Sequence, residues 1–166
     1  MILEKKTIVL TGANGLLGLN FTKFLISQGA RVIALDINLN QLNKNFKNNN
    51  NIIKKKLDVK KKKSWKSLLN FLKKKKIKVD VLINGAGFTN NTNSKKYNNN
   101  FFELSKKHYN EVMDINLFGS ILGCQFIGKE MLKRKKGSII NIASMYGIKS
   151  PKHFIYPGTG ISAPLT

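Results

Sequence analysis

Short runs of β-branched and other apolar residues alternate along the chain with longer segments in which apolar residues recur every three or four positions. The runs predict buried strands, and the longer segments predict amphipathic helices. Such alternation is typical of right-handed β-α-β units, which form a parallel sheet with helices on both faces. We therefore predict a doubly wound, three-layer α/β/α sheet with strand order 3-2-1-4-5. The predicted strands cover residues 7–12, 29–36, 51–59, 78–87 and 137–144.

The segments between these strands differ in character. Helical spacing is clear at about 15–28 and at about 101–135, where a bend is predicted near Asp114 to Asn116. A further helix is predicted from a cap at Ser64. Residues 43–51 and 88–100 are rich in Asn and Lys and predict low-complexity insertions or surface loops.

Polar residues and glycines follow the predicted strands at the points where the strands end. They are Thr11 to Gly18, Asp36, Asp58, Asn84 to Gly87 and Ser144. The carboxyl ends of parallel strands meet at one edge of the sheet, which is where open α/β sheets bind ligands. The sequence therefore predicts one ligand site on that rim, near the switch between strands 1 and 4.

The segment "TGANGLLG" places Gly12, Gly15 and Gly18 between a strand and a helix, an arrangement that brings a pyrophosphate to the helix N-terminus. Asp36 lies at the end of the second strand, where a carboxylate accepts hydrogen bonds from ribose hydroxyls and repels a 2′-phosphate. This favours NAD over NADP, although neighbouring lysines could screen the repulsion. An ordinary strand-to-helix turn and a capping aspartate are the alternatives.

Four further motifs complete the pattern: "LDV" at 57–59, "NGAG" at 84–87, "MDINLFG" at 113–119 and "GSIINIAS" at 137–144. With the glycine turn, they resemble the short-chain dehydrogenase/reductase family, whose members bind NAD(P) on a Rossmann fold. The resemblance implies that Ser144 bonds the substrate oxygen and that Asn116 bends its helix to hold a relay water. It implies the cofactor-binding residues Gly12, Asn14, Gly15, Leu17, Gly18, Asp36, Asp58, Val59, Asn84, Ala86 and Gly87.

Two features depart from the family pattern. Gly85 stands where the family usually has a second asparagine, and the glycine spacing resembles that of the extended sugar-nucleotide members. The family's catalytic tyrosine has a lysine four residues later, whereas Tyr156 is followed by Gly160. We therefore predict that Tyr156 is not the catalytic acid. The segment "SMYG…SP…IYPGT" is similar to an insertion in oxidoreductases of flagellin and surface-sugar modification, after which the catalytic helix begins.

By this resemblance residues 1–166 are expected to form a single, incomplete domain that lacks the later strands and helices and has little turnover. The formal net charge is +22, from 30 Lys and Arg against 8 Asp and Glu. Only Arg31 and Arg134 are arginines, which argues against specific nucleic-acid binding. Cys124 is the only cysteine, and the sequence shows no secretion signal or membrane span, so we expect a cytoplasmic protein. His108 and His153 are expected at the surface, with no metal site.

The predicted function is therefore that of an NAD(P)-dependent oxidoreductase. It would transfer a hydride between the nicotinamide cofactor and a small-molecule alcohol or carbonyl, with a sugar derivative as one candidate. The resemblance also implies a homo-oligomeric full-length parent. Three alternatives remain: a non-catalytic dinucleotide-binding module, a relative of the sugar-nucleotide epimerases and dehydratases, and a basic nucleic-acid binder.

Overall fold

Five parallel strands form one sheet in the computed structural model, which describes residues 2–47, 49–88, 104–150 and 152. The strand order is β3-β2-β1-β4-β5, as predicted, and every neighbouring pair is parallel. All five strands are shorter than the sequence pattern predicts. The strands are β1 (Thr7–Thr11), β2 (Arg31–Asp36), β3 (Ile52–Lys56), β4 (Val81–Asn84) and β5 (Ser138–Asn141).

Helices connect the strands on both faces of the sheet. They are α1 (Leu16–Ser27), α2 (Leu39–Asn45), α3 (Lys62–Lys74), α4 (Lys106–Met113), α5 (Gly119–Gly123) and α6 (Lys129–Lys133). Two π-helical turns, Asp114–Phe118 and Cys124–Gly128, join α4, α5 and α6 into one continuous helix over 106–133. A 3₁₀ turn, Met145–Gly147, follows β5. Among the described helices, none is both long and apolar enough to cross a bilayer.

Three helix starts differ from the sequence-based expectation. Helix α2 was not predicted, yet the Asn38 side chain caps it by accepting a hydrogen bond from the Gln41 amide. Helix α3 begins at Lys62, so Ser64 lies inside the helix and does not cap it. The long helix begins only at Lys106, after Ser105 caps it at the His108 amide.

Apolar clusters fill both faces of the sheet, because successive strand residues point to opposite sides. On one face Trp65, Leu68 and Leu72 of α3 pack with Ile33 and other strand residues. On the other face Leu25 of α1 and Leu42 of α2 pack against the alternate strand residues. Strands buried on both faces read as unbroken apolar runs, which explains why β1 and β2 were evident from the sequence.

Candidate active site

The turn after β1 depends on two glycines. Gly12 has φ +71°, and a Cβ on it would lie 2.7 Å from the Ala86 Cα. A Cβ on Gly18 would lie 2.1 Å from the Gly12 carbonyl oxygen. Hydrogen-only side chains therefore let the turn pack against both the first turn of α1 and the loop after β4.

The N-terminus of α1 is open toward the rim. Gly15 is its N-cap residue and has no side chain to bond the free amides, and the first turn contains no acidic residue. Leu16 and Leu17 in that turn are 83% and 55% exposed. Unpaired amides and the positive end of the helix dipole make this end suited to a phosphate group.

Asp36 holds the turn and the start of α2 together. Its Oδ2 accepts a hydrogen bond from the Asn14 amide at 2.9 Å, and its Oδ1 accepts one from the Asn38 amide at 3.0 Å. The Asn14 side chain donates to the Asn38 carbonyl at 2.8 Å and accepts from Asn45 Nδ2 at 3.1 Å. Each carboxylate oxygen has two lone pairs, so Asp36 can still accept hydrogen bonds from a ligand.

Asp58 and Val59 follow β3 and approach the start of α3. Asp58 Oδ2 lies 3.4 Å from Lys61 Nζ, and its Oδ1 accepts from the Lys60 amide at 3.1 Å. The Val59 carbonyl accepts from the Trp65 indole at 2.9 Å. Beside them is a cavity of about 330 Å³. Its lining residues are Ile37, Lys55, Lys56, Asp58, Lys61, Ser64, Ser67 and Leu68.

The loop after β4 is fixed to β1 by one hydroxyl. Thr11 Oγ1 accepts hydrogen bonds from the amides of Gly85 and Ala86, both at 3.1 Å. Asn84 is 3% exposed, and its side chain donates to Asn141 Oδ1 at 2.8 Å. The Asn84 side chain thus ties β4 to β5, and the backbone of residues 85–87 forms this part of the rim.

Asn116 lies in the π-helical turn Asp114–Phe118, where the sequence predicted a bend. Its side chain clasps the Phe88 backbone: Oδ1 accepts from the Phe88 amide at 2.7 Å, and Nδ2 donates to the Phe88 carbonyl at 3.1 Å. The widened turn and this clasp connect the long helix to the loop after β4. π-Helical turns occur frequently at functional sites.

Ser144 lies three residues beyond the end of β5 and is exposed. Its Oγ accepts a hydrogen bond from the Tyr146 amide at 3.1 Å and so caps the 3₁₀ turn. A hydroxyl that accepts one hydrogen bond keeps its proton for another partner. Tyr156, Gly160 and His153 lie outside the described residues, so the predictions about them stay predictions.

The expectation that His108 is a surface residue is wrong. His108 is 3% exposed, and its ring lies edge-on to the Phe88 ring at a centroid distance of 6.2 Å. It is buried because it lies on the face of α4 that packs against the loop after β4. Within the described part of the chain, no three His, Cys, Asp or Glu side chains are grouped so as to hold a metal ion.

A sequence profile described as short chain dehydrogenase matches residues 6–159. The chain belongs to the short-chain dehydrogenase family. The chain is 32% identical over 150 residues to a diacetyl reductase, (S)-acetoin forming, of Staphylococcus epidermidis. The match covers 87% of this chain and 56% of that reductase. The chain thus spans little more than half the length of this relative.

Two solved structures resemble this chain. One is a short chain dehydrogenase from Leptospira borgpetersenii with bound NAD⁺: it is 26% identical, has a TM-score of 0.84, and the match covers 98% of this chain and 59% of that one. The other is a serine dehydrogenase complexed with NADP⁺: it is 24% identical, has a TM-score of 0.78, and the match covers 93% and 60%. The second likeness concerns the fold alone. The predicted family and Rossmann fold are confirmed, and the subgroup remains a prediction.

The fold brings most of the predicted residues into one connected group. Contacts link the glycine turn to Asp36, to the loop after β4 and, through Phe88, to Asn116. Asp58 and Ser144 flank the group because β3 and β5 lie on either side of the inner strands.

Three residues that support the group were not predicted from the sequence. They are Asn38, Asn45 and Phe88. Asn38 carried a local signal, since an asparagine three residues before a glutamine is similar to a capping box. The other two make contacts that no local pattern encodes.

Proposed function

We propose that the chain binds a nicotinamide dinucleotide across the carboxyl rim of the sheet, with the pyrophosphate at the N-terminus of α1. The observation that carries the proposal is the open helix end at Gly15, which is packed through Gly12 onto the loop after β4 and lies beside Asp36. A phosphate there would meet unpaired amides and no acidic residue of the first helical turn. The family assignment supports the same ligand.

The remaining donors and acceptors fit the other parts of such a ligand. The Asp36 carboxylate is held by two backbone amides and keeps lone pairs for the ribose hydroxyls. The cavity of about 330 Å³ between Ile37 and Asp58 has room and an acceptor for the adenine ring. The position of Asp58 in the cavity lining supports its predicted contact with adenine, and we retain the predicted contact of Val59, which does not line the cavity, as part of the proposal.

We further propose that the whole protein is an oxidoreductase that acts on an alcohol or carbonyl group. The dinucleotide, when bound, would supply or accept the hydride. Ser144 would donate its hydroxyl proton in a hydrogen bond to the substrate oxygen, because its Oγ uses only acceptor capacity in binding the Tyr146 amide. Asn116 would act as a positioning residue that sets the loop after β4 through Phe88. The diacetyl reductase among the relatives supports a small carbonyl substrate.

A matched pair of aspartate variants tests the cofactor site. Asp36 accepts a backbone hydrogen bond at 2.9 Å at the carboxyl rim, and Asp80 accepts one at 2.9 Å from the Thr7 amide at the opposite end of the sheet. Asp36→Asn should weaken NADH binding about tenfold, since it removes charged acceptors from the ribose hydroxyls. Asp80→Asn should leave the dissociation constant within about twofold of wild type.

Titration of each folded variant with NADH, followed by fluorescence and calorimetry, gives the dissociation constants. Equal losses in the two variants would show that Asp36 has no special role at the rim. Failure of the folded wild-type chain to bind either NADH or NADPH would refute the proposed function.

A further inference from the structure

A run of three lysines ends β3 beside the proposed adenosine site. Lys56, the last of them, is the in-register neighbour of Asp36, the last residue of β2. In-register residues of adjacent strands lie about 5 Å apart and point to the same face of the sheet. The Lys56 side chain therefore starts next to the carboxylate that we propose for the adenosine ribose.

Three other lysines near this edge are engaged within the protein. Lys54 Nζ donates to the Phe46 carbonyl at 2.7 Å, Lys55 Nζ lies 3.9 Å from the centre of the Phe71 ring, and Lys61 pairs with Asp58. Lys56 is exposed and makes no ion pair or side-chain hydrogen bond with any residue that the structure describes. Its ammonium group is thus available to a ligand on a long, flexible stem.

The charge around the cavity also favours an anion. Three of its lining residues are lysines and one is an aspartate, with the hydroxyls of Ser64 and Ser67 beside them. The Asp36 carboxylate would repel a phosphate. It already accepts hydrogen bonds from two backbone amides, one of them that of Asn38 at the N-terminus of α2. Backbone donors of this kind stabilise the carboxylate charge and leave the lysine charge available for a second anion.

We infer that Lys56 is a specificity-determining residue that admits a phosphate on the 2′-oxygen of the adenosine ribose. The chain then binds NADP as well as NAD, although Asp36 by itself favours NAD. This inference rests on the proposed function, because it places the adenosine ribose at Asp36. It assigns the phosphate to the open edge of the sheet, where Lys56 lies beside Ile37 and the cavity.

Two adenosine ligands that differ only in the 2′-phosphate test the inference. Adenosine 5′-monophosphate and adenosine 2′,5′-bisphosphate are titrated against wild type, Lys56→Gln and a control, Lys74→Gln. Lys74 is exposed at the last turn of α3, away from the cavity lining, and its substitution removes the same net charge. The same variants are titrated with NADH and NADPH.

Wild type should bind the bisphosphate at least as tightly as the monophosphate. Lys56→Gln should weaken the binding of the bisphosphate and of NADPH about tenfold. It should change the dissociation constants of the monophosphate and NADH by less than about twofold. Lys74→Gln should leave the dissociation constants of all four ligands within about twofold of the wild-type values. Because the ammonium–phosphate contact is exposed, raising the salt concentration should shrink the effect of Lys56→Gln.

Three results would overturn the inference while leaving the proposed function intact. In the first, wild type binds the bisphosphate more than about tenfold more weakly than the monophosphate. In the second, Lys56→Gln changes the dissociation constants of both adenosine ligands by the same factor. In the third, Lys56→Gln and Lys74→Gln change the dissociation constant of the bisphosphate by the same factor. Loss of binding of every adenosine ligand by a folded wild-type chain would instead refute the proposed function, and this inference with it.

Discussion

Replacing Gly12 with alanine is expected to destabilise the protein strongly. Gly12 has φ +71°, and its added Cβ would lie 2.7 Å from the Ala86 Cα, 2.8 Å from the Gly85 carbonyl oxygen and 2.9 Å from the Ala86 nitrogen. All three atoms belong to backbone, which cannot move aside as a flexible side chain can. The loop that contains them is itself held by Thr11 through two hydrogen bonds.

The magnitude follows from two costs and one gain. An L-residue in the left-handed region costs about 1–2 kcal/mol, and overpacking a tight contact costs about 1–3 kcal/mol. Alanine recovers about 0.4–1 kcal/mol because it lowers the conformational entropy of the unfolded chain. We expect Gly12→Ala to lower the free energy of unfolding by about 2–4 kcal/mol, a large part of the roughly 5–15 kcal/mol typical of a domain.

Urea unfolding followed by circular dichroism measures the effect, and Gly147→Ala is the matched control. A Cβ on Gly147 would meet no atom within 4 Å, so that variant should stay within about 0.5 kcal/mol of wild type. For a slope of about 2 kcal/mol per molar urea, Gly12→Ala should lower the unfolding midpoint by about 1–2 M. Equal midpoints for the two variants would show that the turn does not depend on the close approach of Gly12 to the loop after β4.

Two further predictions concern the long helix. Asn116→Asp removes the donor to the Phe88 carbonyl and faces that carbonyl with an oxygen, so the free energy of unfolding should fall by about 1–3 kcal/mol; an unchanged urea midpoint would contradict the clasp. A hydrogen bond from Lys133 lowers the pKa of Glu130 below its usual 4.5. The ionised Glu130 side chain therefore adds to the free energy of unfolding above pH 4.5, and this gain is lost as the pH falls through the lowered pKa. Glu130→Gln should therefore lower the free energy of unfolding by at most about 0.5 kcal/mol at pH 7 and should not lower it once the pH is below that pKa. Thermal unfolding of wild type and variant at both pH values measures the difference. A difference in stability that is equal at the two pH values would contradict this prediction.

Local pattern was sufficient for the sheet and for which residues lie near the carboxyl ends of its strands. Unbroken apolar runs marked β1 and β2, and strand order followed from right-handed crossovers between successive parallel strands. Pattern was insufficient for α2, where Leu39 and Leu42 are the only apolar residues among three asparagines, a glutamine and a lysine. That helix forms because Leu42 is fully buried against the sheet and Asn38 caps its start, and the burial is a tertiary effect.

The error at His108 has a similar origin. A single histidine gives no periodic signal, and its position on the helix face that packs near Phe88 is decided by how α4 meets the loop after β4. Cofactor preference depends on the same kind of information. Asp36 was visible as a carboxylate that ends a strand, but the lysine next to it comes from a strand 20 residues later, and only the register of β2 and β3 pairs Asp36 with Lys56.

The sequence by itself determined the fold class and which residues lie near the carboxyl ends of the strands, because these depend on periodicity, glycine geometry and the handedness of chain crossovers. The family followed from the resemblance of its motifs. Only the tertiary structure decided which of those residues contact one another. These contacts depend on strand register and on packing between distant segments. The tertiary structure turns the Asn84 side chain inward, hydrogen-bonds Asn116 to Phe88 and places Lys56 beside Asp36.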